Sequence, residues 1–422
     1  MNKDTRLSWK RQIALPRSVL NVLPSETVVT KFVLKTPMSL NVRTKSKKDH
    51  TMSNETIYLP NYTVGQDAYS KIGYITAPYG NKAVVIGGET AIEKAKPALL
   101  NGIEGSHTIL LDFLWYGGAA TMDNVHQLAE HPHVKDADML FGVGGGRACD
   151  TVKVLGAITG KPVFTFPTLA SNCAACTSLS VMYHNDGSFA EYFYQSHPPL
   201  HTFINTQIIA ESPAEMFWAG IGDALSKEYE VEYCCRDKKL THLPQLGLGI
   251  AKTCTAPLLD NGKKALEDCR NNQVSAELEE VVLAIVMLTG IVSNCAVHIS
   301  DQISPEDQYY YNSSLAHCVY YGSSLIPASE SQHLHGEIVA FGVLCLLKYD
   351  NNEQEFNRVL EFNKTLGLPV TMAEIGLTEA DLPIVAEKAA SVIEWEVAPG
   401  TPTQEKFIAA ILAADAIGRQ AA

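Results

Sequence analysis

The stretch "MLFGVGGGRACDTVK", residues Met139–Lys153, joins an apolar run to a helical pattern through Gly144, Gly145 and Gly146. Glycines at a strand-to-helix turn let a ligand approach the backbone closely, and the unpaired N–H groups of the helix N-terminus favour an anion. The full GxGxxG spacing is absent, and a tight turn without a ligand has the same pattern. The stretch predicts a strand, a turn and a helix, with the turn as a candidate pyrophosphate-binding loop.

Short apolar runs alternate with helical patterns on both sides of this stretch, from residue 81 to about residue 212. "KAVVIGG", "HTILLDF" and "KPVFTFP" are typical of buried strands, and helix-length segments separate them. Such alternation favours a parallel, doubly wound sheet. Beyond Pro213 the periods become long and helical. We therefore predict an α/β domain over residues 52–212 and an all-α domain over residues 213–422.

The first 51 residues differ from the rest in charge. They carry a net charge of +8, whereas the whole chain carries −13. A basic, Ser/Thr-bearing, acid-poor segment without an apolar core is typical of a transit peptide. The alternative is that Met52 is the true start and the upstream stretch is extra translated sequence. Both interpretations leave residues 1–51 as a leader outside the fold.

The composition excludes several classes of function. The acidic remainder of the chain repels nucleic acid and anionic lipid. We see no apolar run of the length that a membrane span needs, so we expect no transmembrane helix. Ten cysteines, none before Cys149, lie mostly in apolar stretches and are expected to be buried, reduced thiols. We expect a cytoplasmic protein, or an imported one if the leader is a transit peptide.

Four motifs in order carry a resemblance to a known family: "GVGGGRACDTVK", "PTLAS…TSLSVMY", "AGIGDALSKEYE" and "HGEIVAFGVL". Together they resemble the glycerol dehydrogenase branch of the metal-dependent (iron-containing) alcohol dehydrogenases, over roughly residues 60–415. The resemblance implies an α/β nucleotide-binding domain, a helical metal-binding domain and an active site in the cleft between them. It also implies NAD or NADP, one divalent metal, a small alcohol, polyol or hydroxy acid as substrate, and a homo-oligomer.

The resemblance implies a set of cofactor-binding residues on the α/β side. The matching positions are Gly145, Gly146, Arg147, Asp150, Thr168, Ser171, Thr177, Leu179 and Tyr183. Asp112 is a separate candidate because it ends the run "TILLDF", where a carboxylate could accept from a ribose hydroxyl and disfavour a 2′-phosphate. This favours NAD over NADP. A solvated loop aspartate is the alternative for Asp112.

The resemblance also implies three metal ligands, Asp223, His317 and His335. One carboxylate and two imidazoles suit Zn²⁺ or Fe²⁺, and three protein ligands leave positions open for a substrate oxygen. Related iron enzymes place a histidine four residues after the aspartate, where this chain has Lys227, which favours zinc. His333, two residues before His335, is the alternative ligand.

The implied chemistry is hydride transfer between a CH–OH carbon and a nicotinamide. True glycerol dehydrogenases carry an aspartate at the position of Cys173, so a neutral thiol there favours an anionic hydroxy acid as the alternative substrate. A dehydroquinate synthase-like lyase and a non-catalytic nucleotide-binding relative are further alternatives. Cys173 and Cys176 have the CxxC spacing of redox or metal sites, but no second cysteine pair faces them in the sequence pattern.

Overall fold

The computed structural model describes residues 58–299 and 307–421. The predicted leader, residues 1–51, and the alternative start at Met52 lie outside the described residues, and both remain predictions. The first half of the described chain contains eight strands. They are β1 (Tyr62–Gly65), β2 (Lys82–Gly87), β3 (Ile109–Trp115), β4 (Met139–Gly144), β5 (Val163–Pro167), β6 (Leu179–Tyr183), β7 (Phe189–Tyr194) and β8 (His201–Asn205).

Six of these strands form one parallel sheet in the order β1-β8-β5-β4-β2-β3. The helices of this half cover it and connect its strands. They are α1 (Ile72–Thr76), α2 (Glu89–Ile103), α3 (Met122–Glu130), α4 (Pro132–Asp136), α5 (Gly146–Thr159) and α6 (Thr206–Ala210). Every residue of β4 and β5 is buried, as central strands of a sheet covered on both faces require. The predicted doubly wound α/β architecture is confirmed.

The order of the strands reverses between β2 and β4. From β2 the chain moves outward to β3, and it then returns to the other side of β2 to form β4. Ligands of open α/β sheets bind outside the carboxyl ends of the strands at such a reversal. The glycine turn that follows β4 lies at this point of the sheet.

The sequence did not indicate four of the strands, β1, β6, β7 and β8. β6 and β7 form an antiparallel hairpin outside the main sheet, with a register irregularity near Tyr183. β1 and β8 pair with each other from far apart in the chain, with Tyr62 opposite Thr202, so no local pattern connects them. Only the parallel strands that are linked through a neighbouring helix had a recognisable signal.

The second half of the described chain is largely helical. Its helices are α7 (Ala214–Cys235), α8 (His242–Ala251), α9 (Thr255–Arg270), α10 (Ala276–Leu283), α11 (Thr289–Ala296), α12 (Leu315–Ser323), α13 (Pro327–Gln332), α14 (His335–Tyr349), α15 (Glu353–Leu366), α16 (Leu382–Ala389), α17 (Ile393–Glu396) and α18 (Gln404–Ala421). The expectation of an all-α region is wrong in one place, because β9 (Val297–His298) pairs with β10 (Tyr309–Tyr310). The boundary at residue 212 remains a prediction.

A π-helical turn, Ala284–Leu288, joins α10 to α11 and makes one continuous helical stretch. Residues Ala276–Ala296 are long and apolar enough to cross a membrane by length and composition, with 67% of the most apolar window buried inside the protein. The sequence-based statement that no apolar run reaches this length is therefore wrong. A buried core helix passes the same test, and this stretch packs against α8, α9 and α7.

Candidate active site

Two glycines let α7 and α14 pack unusually close together. A Cβ atom on Gly336 would overlap the carbonyl oxygen of Ala219, and one on Gly222 would overlap the carbonyl group of Gly336. Asp223 follows Gly222 and His335 precedes Gly336 in the chain. The close contact between the helix backbones therefore brings these two polar side chains side by side.

Asp223, His317 and His335 lie together on α7, α12 and α14. Asp223 Oδ1 is 3.1 Å from His335 Nε2 and 3.6 Å from His317 Nε2. One potential ligand atom from each residue lies within 4.8 Å of the other two. In the described part of the chain, no other group of three or more His, Cys, Asp and Glu side chains meets this criterion.

Glu230 contacts His317 on the side of the ring away from Asp223, and the sequence reasoning did not identify it. Its fully buried carboxylate lies 2.7 Å from His317 Nδ1 and accepts from the backbone N–H groups of Ser314 (2.7 Å) and His317 (3.0 Å). A carboxylate on Nδ1 fixes the imidazole so that Nε2 points toward Asp223. Glu230 lies seven residues after Asp223, two helical turns along the same face of α7, and that spacing was the available signal.

The charges of this group stabilise one another. Burial alone would raise the pKa of Asp223, but the neighbouring His335 and His317 imidazoles outweigh burial and lower it. Burial would lower the pKa of His317, but the carboxylates of Glu230 and Asp223 outweigh it and raise that pKa to about 10. A proton on His317 therefore compensates the buried carboxylates. A divalent cation held by the same three side chains would replace that positive charge.

The donor set fits a divalent metal ion of the first transition row. Two imidazole nitrogens and one carboxylate oxygen suit Zn²⁺ and Fe²⁺, and three protein ligands leave a position for a substrate. His333 does not meet the 4.8 Å criterion with these residues, and its Nδ1 is paired with Glu337 Oε1 at 2.9 Å. The structure thus brings together the three ligands that the sequence resemblance implied and leaves the alternative histidine outside.

The glycine loop provides a backbone site of a different kind. α5 begins at Gly146 with Gly145 as its N-cap, and no side chain caps the helix, so its first N–H groups remain available to a ligand. Gly144 has φ +144°, and a Cβ atom there would lie 3.0 Å from the Ala148 Cβ. This position requires glycine. Arg147 is exposed, with its guanidinium 5.5 Å from the centre of the Tyr183 ring.

Comparison with known proteins shows the family to which the chain is related. The family model described as iron-containing alcohol dehydrogenase matches residues 60–201. The glycerol dehydrogenase of Citrobacter freundii is 32% identical over 372 residues, which cover 85% of this chain and 96% of that protein.

The chain belongs to the iron-containing alcohol dehydrogenase family. It is accordingly an oxidoreductase acting on CH–OH groups. Hydroxycarboxylate dehydrogenase A of Escherichia coli (strain K12) is 31% identical, covering 70% of this chain and 77% of that protein. The crystal structure of a probable glycerol dehydrogenase from Sinorhizobium meliloti 1021 superposes with a TM-score of 0.72 at 26% identity and covers 86% of this chain and 99% of that one. Family membership favours the dehydrogenase over the lyase and the non-catalytic alternatives.

Several residues that the resemblance assigned to cofactor binding in this alcohol dehydrogenase are buried and do not form an open surface. Asp150 is buried and forms an ion pair of 2.9 Å with Lys153. Lys153 Nζ also donates to Thr177 Oγ1 (3.1 Å) and to the carbonyl oxygen of Leu179, which fixes the loop between β5 and the hairpin of β6 and β7. Asp150 and Thr177 therefore position this loop, and Thr168 is buried as well.

Asp112 does not end its strand as the sequence suggested. β3 continues to Trp115, so Asp112 lies inside the strand. Its side chain is 39% exposed and lies 2.8 Å from His133 Nδ1. The sequence reasoning placed the strand end too early because it treated the first charged residue as a boundary. Asp112 remains a candidate for the adenosine ribose, and an interaction with a ribose has to compete with His133.

The CxxC segment is held against the π-helical turn and α11. Cys176 is buried and its thiol donates to the carbonyl oxygen of Val286 at 2.9 Å. Asn294 Nδ2 donates to the carbonyl of Cys176, and its Oδ1 accepts from the backbone N–H and hydroxyl of Ser178. Burial raises the pKa of both Cys173 and Cys176, which disfavours the thiolate that redox chemistry needs. Both are free, and Cys173 and Ser171 stay partly exposed.

Proposed function

We propose that this protein is a nicotinamide-dependent, metal-dependent dehydrogenase that transfers hydride between a small polyol or hydroxy acid and NAD. The observation that carries the proposal is the convergence of Asp223, His317 and His335 from three helices to within 4.8 Å. The similarity to curated glycerol dehydrogenases and to a hydroxycarboxylate dehydrogenase supports the substrate class.

In this proposal each part of the chain has a separate task. Asp223, His317 and His335 hold the metal, which supplies the Lewis acidity that lowers the pKa of an alcohol or polarises a carbonyl group. Glu230 keeps His317 in the orientation that presents Nε2. The N-terminus of α5 and Arg147 bind the pyrophosphate, and the loop that Lys153 fixes holds the nicotinamide side of the cofactor.

The finer assignments are part of the same proposal. Zn²⁺ is favoured over Fe²⁺ because Lys227 stands where a fourth, imidazole ligand would be expected. NAD is favoured over NADP because the carboxylate of Asp112 would repel a 2′-phosphate. The free, mostly buried cysteines suit a reducing compartment such as the cytoplasm. We propose a homo-oligomer on the basis of the family.

The test is removal and replacement of the metal. Exhaustive chelation followed by metal analysis should give a protein that does not reduce NAD with any member of a panel of vicinal diols, glycerol and 2-hydroxy acids. Adding Zn²⁺ should restore turnover, and parallel additions of Fe²⁺ under anaerobic conditions rank the two metals. Full activity in the demonstrably metal-free protein would disprove the mechanism.

A further inference from the structure

Lys227 is a buried cation without an opposite charge beside it. The residue is 6% exposed, and Nζ donates to the carbonyl oxygen (3.1 Å) and Oδ1 (2.7 Å) of Asn312. Throughout residues 58–299 and 307–421, no carboxylate oxygen lies within the 4.0 Å ion-pair distance of its amine. The other deeply buried lysine, Lys153, has Asp150 at 2.9 Å. Burial of an unpaired ammonium group is unfavourable, so Lys227 calls for a functional explanation.

Lys227 and the proposed ligand Asp223 lie one helical turn apart on α7. Lys227 follows Asp223 by four residues, so both side chains project from the same face of α7. Burial raises the pKa of the Cys173 thiol, and the positive charge of Lys227 opposes that rise. Cys173 is the partly exposed cysteine of the segment that packs against α11. Lys227, Cys173 and Asp223 thus share one region of the site.

The formal charges of this region leave a positive excess once a metal is bound. Asp223 and Glu230 contribute two negative charges, which balance a bound divalent cation when the histidines are neutral. Cys173 is a neutral thiol. The charge of Lys227 is then uncompensated, and one of its three N–H donors remains after Asn312 has accepted two.

We propose, building on the function proposed above, that Lys227 determines specificity by binding the carboxylate of the substrate, so that the enzyme prefers a 2-hydroxy acid or 2-oxo acid to a neutral polyol. A carboxylate supplies both the missing charge and an acceptor for the remaining N–H donor. A neutral diol supplies no negative charge, so the buried ammonium group stays without an opposite charge.

Glycerate and glycerol provide a matched pair of probes, because a carboxylate replaces one CH₂OH group. In the metal-loaded wild type, kcat/KM should be higher for glycerate than for glycerol. Lys227→Met should lower the glycerate-to-glycerol ratio about tenfold. Lys227→Arg keeps the charge and should keep most of the ratio. Lys239→Met, which removes an exposed lysine and changes the net charge equally, should leave the ratio within about twofold.

A second measurement does not depend on turnover. Cys173 should react with iodoacetate, an anion, and with iodoacetamide, its neutral counterpart, and peptide mass spectrometry measures both rates at this residue alone. A change in the thiol pKa alters both rates equally, so their ratio reports the electrostatic potential at the sulfur. The iodoacetate-to-iodoacetamide ratio should fall several-fold in Lys227→Met and stay unchanged in Lys239→Met.

The outcomes separate the two proposals. If the wild type oxidises neither glycerol nor glycerate with NAD or NADP, the proposed function is wrong, and the alkylation ratio still decides whether Lys227 attracts anions. If the enzyme oxidises glycerol but prefers it to glycerate, or if Lys227→Met leaves both ratios unchanged, the role assigned to Lys227 is overturned. Cys173→Asp serves as a second variant, because a carboxylate there compensates Lys227 and should also lower the glycerate-to-glycerol ratio.

Discussion

The α/β half and the helical half of the molecule hold their functional groups in opposite ways. At the end of β4 the proposed binding groups are backbone N–H groups of neighbouring residues, which the glycines expose. In the helical half they are side chains from three helices, with Asp223 and His335 separated by 112 positions in the chain. Substitution of a single side chain should therefore reduce activity far more in the helical half than in the α/β half. The following predictions test that contrast, beginning with the largest effect.

His335→Ala should reduce turnover by about three orders of magnitude or more, because removal of one of three ligands disrupts the metal site. The matched control is His333→Ala, which removes a nearby imidazole that is paired with Glu337 and should retain most of the activity. Steady-state rates and bound metal are measured for both variants. The reverse ranking would show that the wrong histidine was chosen as the ligand.

Glu230→Gln should weaken metal binding about 10- to 100-fold without removing a ligand, since the amide no longer holds His317 as an anion would. Competition with a chelating dye measures the affinity. Excess metal should restore much of the turnover in this variant but not in His335→Ala. A loss of activity that excess metal does not change would mean that Glu230 acts in some other way.

Arg147→Ala should have a moderate effect on the α/β side. An exposed cation on the cofactor phosphates contributes about 1 kcal/mol, so KM for NAD should rise about fivefold while kcat stays nearly constant. Arg147→Lys should recover most of the loss. An equal drop in kcat would indicate that Arg147 participates in the hydride-transfer step, and the contrast between the two halves would then be weaker than stated.

His201 should affect stability and leave turnover nearly unchanged. Burial lowers the pKa of His201 to about 4, below that of an unfolded histidine, so the native protein binds its proton less readily than the unfolded chain. The stabilising contribution is therefore complete above about pH 6.5 and is lost as the pH falls toward 4. Allowing for partial solvent screening, the free energy of unfolding should fall by about 1 kcal/mol between pH 7 and pH 5.

His201→Gln should flatten this part of the stability curve, measured by urea unfolding at several pH values. His126→Gln, which changes an exposed histidine, is the control. An unchanged pH dependence in His201→Gln would contradict the assignment.

The same contrast explains what the sequence could predict. The strand, glycine turn and helix of residues 139–159 are contiguous, so local patterns were sufficient to place them. The proposed ligands Asp223, His317 and His335 come together only through helix packing, and the resemblance to a family, not their spacing, indicated them. Glu230 was missed because a buried carboxylate on an apolar helix has no local signal for its partner. β1 and β8 were missed for the same reason, since each is stabilised by a strand far away in the chain.

The π-helical turn at Ala284–Leu288 makes the length of this helical segment a functional property. A π turn contains one residue more than an α-helical turn but advances the helix by nearly the same rotation, so the extra residue is absorbed there and α11 keeps its orientation. That orientation directs Asn294 toward Cys176 and Ser178 and places Gly290 where the Cys176 sulfur needs room. An insertion or deletion between the turn and Asn294 would instead rotate Asn294 by about 100° about the helix axis, away from both partners. Natural selection should therefore tolerate a change of length inside the turn more readily than one in the first residues of α11.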